Sequence, residues 1–207
     1  MRLLMIKPLA ALAAFLSAIV AAPAALADAE AEAFVQAILK EAEPSLNASD
    51  QDVLFDGIAL LIDKYVDMRR VGLFTLGQYA RKMSAEQKDA YFPLFEQYAT
   101  IIYQNTLSDY SGQTLEVTGS VDRSERDVIV KSRIVDAQPG DPLADTIIHW
   151  RVYRSREGKM SIVDAGADNV WLAIEQRSQF TSIIANNGGA PAGIDALIAE
   201  LREKVGA

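Results

Sequence analysis

Asp164 interrupts an apolar strand pattern, Ile162-Val163-Asp164-Ala165, and is the residue best placed to do chemistry in this chain. A carboxyl group enclosed by hydrocarbon resists ionisation and can act as an acid or base near neutral pH. Set beside a hydroxyl from Tyr98, Tyr103 or Tyr110, it would form the acid–base pair of a small isomerase. The structural alternative is a carboxylate at a sheet edge, or one that caps backbone amides. The rest of the catalytic inventory is thin. The single histidine, His149, alternates with Ile148, Trp150 and Val152, so it falls on the opposite strand face. With no cysteine and no second histidine, a histidine-based triad, a zinc cluster and disulfides are excluded. Phosphate-cradling glycine loops, nucleophile elbows and calcium loops are absent. No cofactor or metal is implied.

The elements that would hold Asp164 are more informative than Asp164 itself. The stretch from Ser84 to Ser111 carries six of the sixteen aromatic residues, at helical spacing. Tyr91, Phe95, Tyr98 and Ile102 form one row, and Phe92, Phe95, Ala99, Tyr103, Leu107 and Tyr110 form another beside it. A helix packed once against a core needs an apolar stripe of roughly 100°. This arc is wider, so the helix buries two sides or lines an internal cavity.

Around it the chain reads as helices, strands, then helices. Ala29 to Glu43 is a helix stopped by Pro44; Asp50 caps a second through Tyr65; Asp67 opens a short one from Met68 to Leu76. Ser84 and Gln87 have capping-box spacing at the start of the aromatic helix, and Pro93 should kink it. From Gln113 the apolar period drops to two. Leu115 to Val121, Val128 to Ile134, Ile148 to Val152 and Met160 to Ala165 read as successive strands joined by short turns. Asp168 or Asn169 then caps a helix through Ile184, and Ile194 to Val205 forms the last. The expected fold is α+β: an antiparallel meander sheet of four strands, or five, covered on one face by helices. It forms a single domain with an apolar cavity between sheet and helices.

Residues 1–27 have the anatomy of a cleaved secretory signal peptide, with Arg2 and Lys7, an apolar run from Leu9 to Val20, and Ala25-Leu26-Ala27 before Asp28. Residues 28–207 are then the folded domain. The leader carries two cationic residues and no acid, so its removal takes the formal charge from −8 to −10. Such an acidic chain does not collect on phosphate backbones or anionic lipid surfaces, and no nucleic-acid partner is expected. The local basic clusters are Arg69-Arg70, Arg81-Lys82, and Arg151, Arg154 and Arg156 with Lys131 and Arg133. They are solvated faces, or else contacts for an anionic headgroup or acidic partner.

Leu76-Gly77-Gln78-Tyr79-Ala80-Arg81-Lys82-Met83-Ser84-Ala85-Glu86-Gln87, then Tyr91-Phe92-Pro93-Leu94-Phe95 and Tyr110-Ser111-Gly112-Gln113, resemble the MlaC or toluene-tolerance family. So do Trp150-Arg151-Val152-Tyr153, Ile162-Val163-Asp164 and Arg177-Ser178-Gln179-Phe180. The chain departs from the family pattern at Met160 and at Asn169-Val170-Trp171-Leu172. The resemblance implies a monomeric periplasmic phospholipid carrier, with no enzymatic activity. Such carriers shuttle lipid between an outer-membrane complex and an inner-membrane ABC transporter complex, and a related branch handles hopanoids. On that reading the lipid-binding residues are Leu73, Phe74 and Leu76; Phe95, Tyr98, Ile102, Tyr103 and Leu107; Ile148, Trp150 and Val152; and Val170, Trp171 and Ile174. The residues also leave open a periplasmic interaction or chaperone module with an exposed apolar groove, and the isomerase built on Asp164.

Overall fold

Asp28, Asp50 and Asp67 each open a helix, their carboxylates accepting from the backbone amides of Ala31, Asp52 and Arg70. Each satisfies one of the amides that a helix start leaves without an intrahelical partner. The computed structural model describes residues 28–107, 114–136, 144–168 and 170–207. The helices are α1 (Ala29–Leu46), α2 (Gln51–Tyr65) and α3 (Met68–Thr75), followed by a 3₁₀ turn, Gly77–Lys82, and α4 (Ala85–Leu107). Four strands follow, β1 (Leu115–Ser124), β2 (Asp127–Ile134), β3 (Ile147–Arg154) and β4 (Met160–Ala167). A two-residue β5 (Val170–Trp171), α5 (Leu172–Asn186) and α6 (Ala192–Val205) complete the chain.

The sheet is a five-stranded antiparallel meander in the order β1-β2-β3-β4-β5. Val128 pairs with Val152, Val130 with Trp150, and Ser132 with Ile148, so alternation puts all six on one face. That face meets the helices. α1 crosses β1 and β2, while α2, α3 and α5 approach β4. Two apolar cores result. One joins Ala31, Val35, Ile38 and Leu39 of α1 to Val128, Val130, Val152 and Ile162 of the sheet. The other lies among the helices from α2 to α6, around Ile58, Val71, Leu76, Phe95, Phe180 and Leu197. Val66, between α2 and α3, packs against both, and its parallel bridge to Ile162 pins that junction to β4.

Two local expectations are corrected. α1 runs through Pro44 to Leu46. Pro44 sits exposed in the last turn, where the loss of one hydrogen bond does not stop the helix. The N-cap position of α5 is Trp171 and not Asp168: Asp168 turns the chain in the left-handed region (φ 48°), and β5 precedes the helix. Asn169 lies outside the described residues. The short fifth strand extends the meander past β4 because Gly166 lets the Val170–Trp171 backbone come close, where any Cβ would collide with the Val170 carbonyl.

Candidate functional site

α4 makes its close approaches to α2, α3 and α6. It meets α5 through rings instead, with Phe180 lying 6.2 Å from Phe95 and 5.8 Å from Tyr98, centroid to centroid. Tyr91 stacks on Phe95 at 5.6 Å, and its hydroxyl bonds Thr75 and the Gly72 carbonyl. Burial pushes that phenol's pKa upward. This aromatic layer is solid core: Leu76, Phe95 and Tyr98 are all buried within it, and Phe74 packs at its edge.

One turn further along α4 the packing loosens. Ile102 and Tyr103 are only partly buried. Even so, burial raises the Tyr103 phenol well above its ordinary range, and the nearby Asp164 carboxylate raises it further. On the sheet, Ile148 and Trp150 are likewise half-buried, and the Trp150 indole N–H donates to Ser132 Oγ at 2.9 Å. Val152 belongs to the core under α1.

The remaining residues expected at the site are elsewhere. Leu73, Val170 and Ile174 are exposed, at 38%, 55% and 47%. The Trp171 ring lies 5.7 Å from His149, and β5 pairs Trp171 with Gly166, which in turn pairs with His149. Since His149 alternates with Trp150, Trp171 packs on the far face of the sheet. It does not line the sheet–helix layer. The side chain of Leu107 and the whole of Tyr110 lie outside the described residues.

Asp164 is 3% exposed and spends Oδ1 on two backbone amides, Ala165 N and Ala173 N, each at 2.9 Å. The second bond caps α5 from a neighbouring strand, the structural alternative set out for this residue. Burial pushes its carboxyl up, against the two amides and the charge of Arg151. Arg151 is itself held by a bidentate pair with Asp127. His149 is lowered by burial and by Lys131, with Asp168 opposing. Among the described residues no cluster of His, Cys, Asp or Glu could hold a metal ion.

Gln176 is missing from the sequence reading. It is 5% exposed on the α5 face formed with Ala173, Phe180 and Ile184, and neither amide atom has a partner. Its signal was a polar residue inside an apolar helical stripe. A separate polar cleft of about 370 Å³ opens where the α2–α3 junction meets the β3–β4 hairpin, with Lys64, Arg70 and Lys159 on its wall. Its cations are largely engaged, Lys64 with Glu41 and Arg70 with Asp67 and over the Tyr153 ring.

A family model described as MlaC protein matches residues 30–203. The chain belongs to the MlaC family. The Haemophilus influenzae protein named intermembrane phospholipid transport system binding protein MlaC is 23% identical over 140 residues. That alignment takes in 67% of this chain and 62% of the relative's own length. The fold is that of a phospholipid-binding protein from Ralstonia solanacearum solved in complex with a phospholipid. The match has a TM-score of 0.69 at 21% identity and covers 85% of this chain and 97% of that one. Among the described residues no MlaC-family helix of this chain is long and apolar enough to cross a membrane.

Proposed function

We propose that this MlaC-family protein is a phospholipid carrier and not an enzyme. It holds acyl chains between the second half of α4, the start of α5 and the β2–β3 part of the sheet. What supports the reading is membership of the MlaC family together with the half-buried apolar side chains of Ile102 and Tyr103 on α4 and of Ile148 and Trp150 on the sheet. The names of the Haemophilus and Ralstonia relatives point to the same ligand class. The wall of the pocket is Ile102, Tyr103, Ile148 and Trp150, and the aromatic layer of Phe95, Tyr98 and Phe180 forms its closed end.

A hydrocarbon wall suits a hydrocarbon cargo. Each methylene removed from water contributes about 0.8 kcal/mol, so a ~16-carbon chain contributes roughly 12 kcal/mol. A bilayer offers that chain nearly the same, so extraction is close to neutral in this term. Direction of transfer therefore comes from protein partners, membrane-anchored transporter components at the inner and outer membranes. The carrier works as a monomer in the periplasm after loss of residues 1–27.

Mass spectrometry of an organic extract of the purified protein tests the reading. The expected result is stoichiometric co-purified phospholipid. Absence of lipid, together with no uptake from phospholipid vesicles, overturns it.

A further inference from the structure

Buried polar groups in this protein are matched with care almost everywhere. Tyr91 and Thr75 satisfy each other and the Gly72 carbonyl, and Gln87 serves Ser84, Pro191 and Asp195 at once. Among the described residues four buried side-chain atoms lack a partner: Arg154 Nε, Asp164 Oδ2, and both Gln176 amide atoms. Arg154 is already engaged through Nη2 with Asp28 and Glu30, beside the start of α1. The other three are on α5 and on the strand residue that caps it. Leaving such groups dry and unmatched is costly, and native interiors avoid it unless something else occupies the space.

Their position is fixed by neighbours. Phe180 faces Phe95 and Tyr98, while Asp164, bonded to Ala173, lies within electrostatic reach of Tyr103. Ala173, Gln176 and Phe180 share the buried face of α5, so Gln176 falls between the aromatic layer that Phe180 joins and the Asp164 cap on Ala173.

We infer that Gln176 and Asp164 Oδ2 form a polar subsite in the carrier's acyl pocket, and that it receives the ester carbonyls of a glycerolipid. The inference rests on the carrier reading above. An ester carbonyl can only accept, and Gln176 offers it two N–H donors. Asp164 adds another whenever it is protonated. In a glycerolipid the carbonyls lie next to the acyl chains, so they enter wherever the chains do. Each neutral bond of this kind is worth roughly three- to tenfold in affinity.

The test compares a dipalmitoyl phosphatidylethanolamine with its dihexadecyl ether analogue, which has the same chains and headgroup but no carbonyls. Purified protein is exchanged against each lipid and occupancy is read by native mass spectrometry. The wild type is expected to prefer the diester by about three- to tenfold per carbonyl engaged. Gln176→Leu is expected to narrow that preference toward unity while binding the diether at least as well. Gln176→Met, an unbranched substitute, should behave alike. The lipid-free Tm of both variants should equal or exceed that of the wild type, since no internal bond is lost.

Equal binding of the two lipids by the wild type, or a preference untouched by both variants, overturns the subsite and leaves the carrier reading standing. A lipid-free Tm several degrees lower in both variants also overturns it, because Gln176 would then be bonded within the protein. Failure of the wild type to bind either lipid overturns the carrier reading and the subsite together.

Discussion

Asp164 performs structural work that its chemistry makes pH-dependent. Oδ1 supplies the amide of Ala173 with the partner that no residue at the α5 start offers. Asp164→Ala should therefore lower stability at every pH, by about 1–2 kcal/mol, read as a drop of a few degrees in Tm. Asp164→Asn keeps an acceptor and cannot ionise. Because burial raises the folded pKa above the ordinary 3.8, Asp164's favourable contribution is complete below that value. It is lost as pH rises through the folded pKa. The Asn variant should thus gain on the wild type as pH rises from below the ordinary carboxylate range, in paired thermal melts. Asp28 and Asp127 carry the opposite sign. For Asp28 the Ala31 amide and Arg154 outweigh burial, and for Asp127 the Arg151 hydrogen bonds dominate, so both pKa values are lowered. Their contributions are present above the ordinary carboxylate range and fade as pH falls through the folded values. An Asn variant whose advantage shrinks as pH rises would contradict this account of Asp164.

At the scale of elements, the start of α4 is tied down by one residue. Gln87 Oε1 accepts from Ser84 N and the Gln87 backbone N–H donates to Ser84 Oγ, which is the reciprocal capping box its spacing predicted. Its amide group also donates to Asp195 Oδ1 at 2.7 Å and to the Pro191 carbonyl, binding α4 to the entry of α6. Ser84→Ala should cost about 1 kcal/mol, and Gln87→Ala about 2–3 kcal/mol because buried groups lose their partners as well. Equal effects in chemical denaturation would show the α6 link to be idle. Gly193 is a second such point: a Cβ there meets the Ile184 backbone, which cannot swing aside as a side chain could. Gly193→Ala should destabilise by upwards of 2 kcal/mol. Contacts of this sort explain what could be read from the residues and what could not. Asp50, Asp67 and the Ser84–Gln87 box act within one turn, and the strands from β1 to β4 announce themselves by alternation, so the layers were legible. β5, the cap from Asp164 and the placement of Trp171 arise where Gly166 meets a backbone from across a turn, and no local period encodes that. The wide arc on α4 was legible as two buried sides. Its division into a solid layer at Phe95 and Tyr98 and a loosened one at Ile102 and Tyr103 depends on Phe180, more than seventy residues away. Leu73, Val170 and Ile174 fit an apolar stripe equally well on the surface or inside.

For the whole molecule, two separate apolar cores and a loosened end of α4 predict how cargo and fold depend on each other. The α1–sheet core and the helical core meet mainly at Val66, so without lipid little apolar contact couples the end of α4 to β2 and β3. A ligand that binds only the folded state adds stability as RT ln(1 + [L]/Kd), about 2.7 kcal/mol at a hundredfold excess over Kd. Delipidated protein should therefore melt several degrees lower than the loaded form. Amide exchange should quicken first around Ile102 and Tyr103, while Tyr91 and Phe95 stay protected. The formal charge of −8 for the full chain adds a condition on how that loaded state is reached. Anionic vesicles repel the carrier, more strongly at low salt where the Debye length is longer. Reloading from anionic vesicles should accordingly speed up as salt is raised from about 10 to 150 mM. If the rate instead fell with salt, a local basic surface such as the wall of the Lys64–Arg70–Lys159 cleft would be steering the encounter, against the sign of the molecule's overall field. Uptake followed by fluorescence dequenching of a labelled phospholipid separates the two outcomes, because global repulsion and local attraction respond to screening with opposite slopes.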